Sequence, residues 1–503
     1  MEENKENSYS HILKYTSIFG GVQGLSILVG VLRNKLVAVI LGPEGMGLIS
    51  LFNSTIKLLS DSTNLGISMT AVREISEAYE KGDEKRLAHF ILMVRVWSLI
   101  TAVMGALLCI LLSRQLNDWT FTWGDHVLHF VLLSPVVALS ALTGGELAIL
   151  KGTRRLKMLV CQSVYVMLGS LALSIPLYLL WKEAAIVPSI LLVAVVQLFF
   201  AIIYSYRLYP LRLRFSKEVI ASGWGMVRLG VAFVLAGILG SGAEFVIRSY
   251  LNHEADLSAV GLYNAGYLIT FTYAGMVFQA METDYYPRLS AACAENGSLD
   301  EANRLVNKQI EVSLLLISPL LITFMVGLPV FLPLLLSSKF VPIIDMMRVA
   351  SLAMFMRAVT LPIEYISLAK GASGSYLFLE LVYDVMIVVL IILGYHFWEL
   401  TGTGVALLLA GVFNLLLVLL YVRWRFGYRL SRSVVRIFDI HFPLGVAVYL
   451  ITLWSNGPVA WVASGVLLLA SWCYSIRVLR SKSQLWEKLV GKVKARINRR
   501  SNP

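Results

Sequence analysis

The chain has 503 residues, of which 57% are hydrophobic and only 15% are charged, and its formal net charge is +12. A mean hydropathy of +0.74 excludes a soluble globular protein, because such a protein does not need so much apolar surface, and it indicates a polytopic membrane protein. The basic residues lie in short loops between apolar runs, which is typical of membrane topology and excludes nucleic acid as a partner.

The first two predicted helices carry charge where a bilayer disfavours it. A first helix at 11–41 is followed by a tight turn predicted over 42–47 and then by a second apolar helix. The charged residues of this hairpin are Arg33, Lys35, Lys57 and Asp61. A charge at the centre of a spanning helix costs roughly 2.5–3.5 kcal/mol, so such residues normally face a partner or a water-filled cavity. The hairpin therefore predicts a polar interior in an otherwise apolar helix bundle.

Twelve further spans are predicted after the hairpin, which gives fourteen in total. Each approaches or exceeds the roughly 20 residues that a helix needs to cross the hydrocarbon core. They lie at 89–113, 126–150, 156–180, 184–206, 226–250, 259–281, 310–336, 341–368, 376–398, 402–424, 437–453 and 458–476.

Loop charges predict that both termini are cytoplasmic. The predicted outer loops hold only Arg114, Lys182 and Lys339, while the inner loops and the tail carry most of the remaining basic residues. The tail suits an anionic inner leaflet, with a merely solvated basic segment as the alternative. Residues 1–15 are too polar for a cleavable signal peptide, so the first span is expected to be an uncleaved targeting signal.

The opening hairpin recurs in the second half of the chain. An offset of 214 residues aligns Gly47 with Gly261 and Ser76 with Ser290, in the same order of charged helix, glycine and long helix. Parallel halves with a binding site between them are a known plan of transporters. The repeat is therefore typical of a transporter.

Several kinds of site are absent from the sequence. It contains no G-x-x-x-x-G-K-[ST] phosphate loop and no H-E-x-x-H metal motif, so neither a nucleotide site, a metal nor another cofactor is predicted. The four cysteines are scattered and are expected to be packing residues. No predicted loop is long enough to form a soluble catalytic domain.

Charges within the later spans have two interpretations. Glu244 and Arg248 are four residues apart, as are Glu380 and Asp384, so each pair shares a helix face. Such residues form structural ion pairs, snorkel to the interface, or line a cavity. The structural interpretation is favoured for residues towards span ends, namely Arg95, Glu146, Arg228 and Asp345. A cavity with surplus cations would select an anion, and the planar fork of arginine suits phosphate oxygens.

Three segments resemble a known family. Residues 33–47, RNKLVAVILGPEGMG, resemble the first-helix signature of polysaccharide flippases in the multidrug/oligosaccharidyl-lipid/polysaccharide exporter superfamily. Residues 285–290, YYPRLS, resemble its Y-x-P-x-L-S element. The run LLLSSKF at 334–340, the tenth predicted span and AKG at 369–371 are similar in order to O-antigen and enterobacterial-common-antigen translocases of the Wzx type.

The resemblance implies an all-α flippase that moves undecaprenyl-diphosphate-linked oligosaccharide from the cytoplasmic to the periplasmic leaflet of the bacterial inner membrane by alternating access. It implies two pseudo-symmetric six-helix lobes, at 1–217 and 218–432, around a central cationic cavity. An extra helix pair at 433–476 and a basic cytoplasmic tail at 477–503 would follow. The extra pair resembles that of the lipid II flippase MurJ, so lipid II is an alternative substrate.

Site residues follow from this interpretation. The cations expected to bind the diphosphate in the cavity are Arg33, Lys35, Lys57, Arg248 and Arg357. The carboxylates expected to balance charge or to couple transport to a proton or sodium gradient are Asp61, Glu244, Glu364 and Asp384, with Glu364 preferred as proton carrier. The expected partners are the lipid-linked glycan, membrane lipid and, as an open alternative, the polysaccharide polymerase machinery. A membrane polymerase or ligase is the competing, enzymatic hypothesis.

Overall fold

A computed structural model describes the backbone of residues 2–210, 217–293, 299–454 and 457–482. Side chains are described from Leu28 onward within these ranges, except at 156, 229, 232–233, 273–274, 276–277, 279–284 and 482. Most of the predicted basic tail at 477–503 lies outside the described residues.

Fifteen α-helices follow one another in the described ranges, joined by short 3₁₀ and π segments, and these ranges contain no strand. The first seven are α1 (Glu2–Thr63), α2 (Ile67–Glu80), α3 (Glu84–Leu111), α4 (Ser113–Thr120), α5 (Val127–Gly152), α6 (Leu156–Trp181) and α7 (Ile186–Tyr206). The remaining helices are α8 (Lys217–Glu254), α9 (Leu257–Tyr267), α10 (Ala274–Ala292), α11 (Leu299–Leu335), α12 (Ile344–Ala369), α13 (Ser373–Phe426), α14 (Arg432–Trp454) and α15 (Pro458–Lys482). A π segment, Leu268–Tyr273, joins α9 to α10.

The turn that the sequence predicts over 42–47 is shorter in the structure. Only Gly42 leaves the helical region inside α1, with φ 69° and ψ −168°. Glycine tolerates this positive φ because it has no Cβ, and Pro43 then restarts the helix with a preset φ and no N–H to satisfy. Residues 43–47 are therefore helical, and the break is one residue wide.

Two other long apolar stretches also break where the sequence predicted a pair of spans. Trp398 and Glu399 interrupt α13, with φ 48° at Glu399. Lys182, with φ 47°, begins the 3₁₀ segment between α6 and α7. Each break lies between two spans that the sequence separated, at 376–398 and 402–424 and at 156–180 and 184–206.

Ten stretches among the described residues are long and apolar enough to cross a membrane. Three of them contain the breaks described above, and the longest, Ser373–Phe426, has 54 residues, about twice what one crossing needs. The multi-pass, all-helical prediction is confirmed. The count of fourteen spans and the division into two six-helix lobes stay predictions.

The chain forms two compact units. Unit 1 consists of Met1–Ala265, Pro333–Pro342 and Glu380–Val388, and unit 2 consists of Gly266–Leu332, Ile343–Leu379 and Val389–Pro503. In unit 1, small and branched side chains pack α2 and α3 into a core in which Ala71, Ile75 and Val94 are fully buried. Asp83 begins α3 by accepting a hydrogen bond from the backbone N–H of Arg86 at 3.0 Å, which satisfies one of the free donors of the first turn.

In unit 2, Asn307 of α11 holds the connection between α13 and α14. Its Oδ1 accepts hydrogen bonds from the Tyr428 hydroxyl at 3.2 Å and from the Ser431 backbone N–H at 2.8 Å. Its Nδ2 donates to the carbonyl oxygen of Arg429 at 2.9 Å. Burial raises the pKa of the Tyr428 phenol, so this hydroxyl keeps its proton and its role as donor.

The predicted repeat coincides with a reciprocal backbone contact inside unit 1. A Cβ on Gly47 of α1 would lie 2.0 Å from the carbonyl oxygen of Leu257, and a Cβ on Gly261 of α9 would lie 1.9 Å from the carbonyl oxygen of Pro43. The offset that relates Gly47 to Gly261 also relates Pro43 to Leu257. The two contacts therefore involve the same two positions of the repeat, one from each copy, which is the symmetry of an isologous interface.

Candidate functional site

Arg248 of α8 is the centre of a polar network in unit 1. Its guanidinium donates through Nη1 to Oε2 of Glu244 at 3.1 Å and through Nε to the Ser50 hydroxyl at 2.8 Å. Its Nη2 donates to Oδ1 of Asn264 at 3.2 Å. Ser50 and Asn264 are separated by the offset of the predicted repeat, so one guanidinium joins two equivalent positions of α1 and α9.

Lys57 of α1 also binds Glu244. The Lys57 Nζ lies 2.6 Å from Oε1 of Glu244, so this carboxylate is shared between a lysine and an arginine. Asp61, one turn after Lys57, lies beside Gly237 of α8, where a Cβ would be 3.6 Å from the Asp61 Cγ. The interaction of α1 with α8 therefore runs along several turns of both helices.

Asp384 belongs to the same electrostatic cluster. Its side chain is buried, and its Oδ2 has no hydrogen-bond partner within the described part of the chain. That oxygen is 4.0 Å from a Cβ built on Gly240. Asp384 interacts electrostatically with Glu380, Glu244 and Lys57. Lys57 and Arg248 thus lie near four carboxylates, those of Asp61, Glu244, Glu380 and Asp384, so this cluster has no surplus of positive charge.

Arg33 and Lys35 of α1 lie apart from that network. Lys35 donates a hydrogen bond from Nζ to the carbonyl oxygen of Leu334. The Arg33 side chain is partly buried, and its Nε is buried without a hydrogen-bond partner among the described residues. Of the four cations predicted in unit 1, Arg33 is therefore the one with a buried, unsatisfied donor.

Three of the four residues favoured as structural, Arg95, Glu146 and Asp345, form ion pairs. Arg95 and Glu146 are both buried, with Nε 2.9 Å from Oε1, and Arg95 also donates to the carbonyl oxygens of Tyr209 and Pro210. The guanidinium carbon lies 4.4 Å from the ring centre of Tyr206. In α12, Arg348 binds Asp345 at 3.2 Å. The Arg95 pair holds helices and their connections together, whereas the Arg348 pair lies within α12 and leaves the buried Nε of Arg348 without a hydrogen-bond partner among the described residues.

Arg357 and Glu364 of α12 belong to unit 2. Arg357 lines a cavity of about 320 Å³ together with aromatic residues of α9, the π segment and α10. Glu364 does not line this cavity, and its Oε1 accepts a hydrogen bond from Nδ2 of Asn414 at 2.8 Å. The two residues, which are seven apart on α12, therefore have different surroundings.

The sequence analysis did not identify three further site residues. Ser50, Asn264 and Asn414 each bind a predicted site residue, but they are neutral and common in helices. For Ser50 and Asn264 a signal was available, because they are equivalent positions of the predicted repeat. Nothing in the local sequence marks Asn414 as the partner of Glu364, since the two are separated by 50 residues.

A family model described as polysaccharide biosynthesis protein matches residues 12–292, which is more than half of the chain. The chain belongs to this family. The match covers the hairpin, the Arg248 network and the reciprocal glycine contact, whereas Leu334 and Asp384 of unit 1 lie outside it. The predicted resemblance is thereby confirmed at the level of the family. No curated protein sequence matches the chain.

Solved structures with a similar fold are membrane transporters. An inward-facing multidrug resistance MATE family transporter of the MOP superfamily has 15% identity and a TM-score of 0.68, covering 80% of this chain and 94% of its own. The lipid II flippase MurJ in an inward closed conformation has 12% identity and a TM-score of 0.68, and the match covers 92% of this chain and 99% of the MurJ chain. A MOP superfamily transporter from Pyrococcus furiosus, described as having a binding pocket of reverse polarity, has 15% identity and a TM-score of 0.53. The match covers 82% of this chain and 93% of that transporter. At these identities the likeness shows the fold.

Proposed function

We propose that this member of the family is a flippase that carries an undecaprenyl-diphosphate-linked oligosaccharide from the cytoplasmic to the periplasmic leaflet of the bacterial inner membrane. The observation that carries the proposal is the buried, unsatisfied Nε of Arg33 in a spanning helix of a polysaccharide biosynthesis protein. A guanidinium in that position is stabilised by an oxyanion, and a diphosphate supplies oxygens in the geometry that arginine prefers. The isoprenoid tail would stay in lipid while the glycan enters the protein interior.

The other predicted cations already have partners in the protein, so we expect them to have different roles. Lys57 and Arg248 both already bind Glu244, and Lys35 donates to a backbone carbonyl. The diphosphate would therefore bind first at Arg33, with Lys35 the nearest cation along the same helix. Lys57 and Arg248 would join the site only if the Glu244 interactions exchange during transport.

The test is replacement of Arg33 in a strain that depends on this chain for surface polysaccharide. We expect Arg33→Ala to abolish the polysaccharide and Arg33→Lys to restore part of it, because lysine keeps the charge without the fork. Arg155→Ala is the control, since Arg155 is exposed and begins α6. Membrane levels of each variant are measured by immunoblot. Normal polysaccharide from Arg33→Ala would remove Arg33 from the mechanism.

Lipid II is the second candidate substrate. The MurJ structure covers 92% of this chain against 80% for the first MATE structure, so its fold accounts for more of the sequence. Expression in two depletion strains separates the substrates, one lacking a lipid II flippase and the other lacking an O-antigen translocase. We expect rescue of the second strain only. For the enzymatic alternative, purified protein in vesicles is expected to transfer labelled substrate between leaflets without polymerising it.

A further inference from the structure

A group of exposed arginines lies where the long helix α13 ends in unit 2. Its members are on the last turn of α13, on the connection to α14 and on the first two turns of α14, namely Arg423, Arg425, Arg429, Arg432 and Arg436. We call these five side chains the arginine cluster. Trp424, on the same turn of α13, is 78% exposed. Tryptophan is enriched where a spanning helix leaves the hydrocarbon core, so we expect this end of α13 at the level of the lipid headgroups.

Nearby acidic residues do not cancel the charge of the arginine cluster. The Nζ of Lys370 lies 5.4 Å from the ring centre of Phe426 and adds a sixth cation from the connection between α12 and α13. The start of α11 packs here too, since a Cβ on Gly427 would lie 3.2 Å from the first side chain of that helix. In the sequence, segments 295–308 and 423–439 together with Lys370 hold eight basic and four acidic residues, so four positive charges remain in excess.

The backbone that carries the arginine cluster is held from the protein interior. The buried side chain of Asn307 accepts a hydrogen bond from the backbone N–H of Ser431 and donates one to the carbonyl oxygen of Arg429. Gly427 turns the chain out of α13 with φ 73°, which glycine adopts without strain. The side chains of Arg429 and Arg432 therefore extend from a fixed backbone, and a ligand does not have to order this segment before it binds.

Fixed arginines at the level of the headgroups suit the phosphate of a lipid. The planar guanidinium binds two phosphate oxygens at once, and clusters of four to eight lysines or arginines directly beside a spanning helix are typical of sites for anionic lipid. A zwitterionic headgroup also brings an ammonium group, which these arginines repel. An acidic protein segment would match the charge, but the exposed ring of Trp424 at the end of a spanning helix favours lipid.

We propose that the arginine cluster, in the conformation that Asn307 holds, binds the headgroup of an anionic phospholipid. The lipid belongs to the leaflet around this end of α13, which the loop charges predict to be the cytoplasmic one. Such a lipid is a resident partner of the protein and not its cargo. The proposal therefore goes beyond the proposed function and does not depend on which lipid-linked glycan is transported.

The measurement is native mass spectrometry of the full-length protein, with phosphatidylglycerol and phosphatidylethanolamine of equal acyl chains competing for it. We expect the unaltered protein to prefer phosphatidylglycerol, and Arg429→Gln with Arg432→Gln to lower this preference by about tenfold. The matched control is Lys81→Gln with Arg86→Gln, which removes the same charge from cations that lie beside glutamates of α2. The basic tail is unchanged in every variant, so its contribution to lipid binding is the same throughout.

Asn307→Ala separates a fixed site from a general attraction between charges. It changes no charge but removes the hydrogen bonds to Arg429 and Ser431, so we expect a preference between those of the unaltered protein and the double arginine variant. Thermal midpoints are measured for all variants, and the arginine variant decides the outcome if Asn307→Ala does not fold.

Three results would overturn the proposal. Equal binding of the two lipids by the unaltered protein would do so, and would leave an acidic protein segment as the partner that fits these charges. An arginine variant that keeps the full preference, or a control that loses as much, would show that the cluster is not the site. A folded Asn307→Ala variant with the full preference would show that the fixed backbone does not matter.

Discussion

At the scale of single residues, the charges within the helices differ in what surrounds them. Glu244 binds Lys57 and Arg248 together, and Arg95 is enclosed by Glu146 and two carbonyl oxygens, so these charges are satisfied within the protein. Arg33 keeps a buried donor without a partner among the described residues. A ligand anion lowers the free energy of the protein most where a cation lacks a partner, which favours Arg33 among the cations predicted in unit 1. In unit 2, Arg348 also has a buried Nε without a hydrogen-bond partner among the described residues.

A double-mutant cycle on Lys57 and Glu244 tests whether this pair stabilises the fold. We expect Lys57→Met and Glu244→Gln each to lower the thermal midpoint in detergent, with a coupling free energy between about 0.5 and 3 kcal/mol, because the two belong to one salt-bridge network. The pair Lys81–Glu77, 2.7 Å apart at its closest atoms and similarly exposed, is the control. It should couple more weakly, because a pair four residues apart on one helix contributes only about 0.3–0.5 kcal/mol. Coupling no larger than in the control would show that the Glu244 network does not hold α1 against α8.

Sequence alone predicted part of this pattern. The spacing of Glu244 and Arg248 predicts their contact, since residues four apart share a helix face, and the structure confirms it. The partnership of Lys57 with Glu244 was not predictable in the same way, because 187 residues separate them and only the packing of α1 on α8 brings them together. The cavity around Arg357 was likewise not predictable, since its aromatic residues come from helices that the sequence gives no reason to pair.

At the scale of helices, α1 and α9 approach so closely that only glycine fits at their crossing. The atoms that a Cβ would meet are backbone carbonyl oxygens, at 2.0 Å for Gly47 and 1.9 Å for Gly261, so no side chain can move aside. Glycine in a helix costs roughly 1 kcal/mol relative to alanine, which this close packing has to offset. The two glycines therefore fix the distance between the equivalent helices of the repeat.

We expect Gly47→Ala and Gly261→Ala each to lower the thermal midpoint and to reduce flipping, because either methyl group forces the two backbones apart. Gly30→Ala is the control in the same helix, since a Cβ there meets nothing within 4 Å, and it should be neutral or slightly stabilising. The measurements are thermal unfolding in detergent and leaflet transfer in vesicles. Alanine at Gly47 tolerated as well as alanine at Gly30 would mean that the contact does not constrain the helices.

At the scale of the whole molecule, the proposed transport needs a driving force. The sequence holds no phosphate-binding loop for a nucleotide, and moving one elementary charge across 100 mV is worth about 2.3 kcal/mol. A diphosphate that leaves a negative interior moves in the favourable direction. Glu364, the carboxylate preferred from the sequence as a proton carrier, accepts a hydrogen bond from a neutral amide, which a glutamine in its place would also do.

We therefore expect membrane potential alone, without a proton or sodium gradient, to sustain leaflet transfer in vesicles that contain the purified protein. Glu364→Gln should transfer at an unchanged rate, because its amide oxygen can still accept from Asn414. Asp384→Asn is the comparison, since its buried Oδ2 has no hydrogen-bond partner among the described residues. Transfer that needs an imposed ion gradient and is lost in Glu364→Gln would establish antiport through that carboxylate.

The class of the fold was predictable because length and hydropathy suffice to recognise helices that cross a bilayer. The break in α13 at Trp398 and Glu399, for example, falls between two spans placed from apolar runs alone. The width of the turn at Gly42 was not predictable, because a run of Gly, Pro and Glu suits both a loop and the first turn of a helix. The arrangement of helices into lobes depends on contacts between distant segments, which apolar runs do not encode.

The reciprocal glycine contact also makes part of α1 intolerant to changes in chain length. Gly47 and Asp61 lie on one continuous helix, about 21 Å apart along its axis, and both contact neighbouring helices at fixed places. One residue inserted between them would turn Lys57 and Asp61 by about 100° away from α8 while Gly47 stayed at its crossing. A deletion would turn them equally far in the other direction. Only a change of about seven residues, two full turns, would return these side chains to their partners' side, and it would displace them by about 10 Å along the helix.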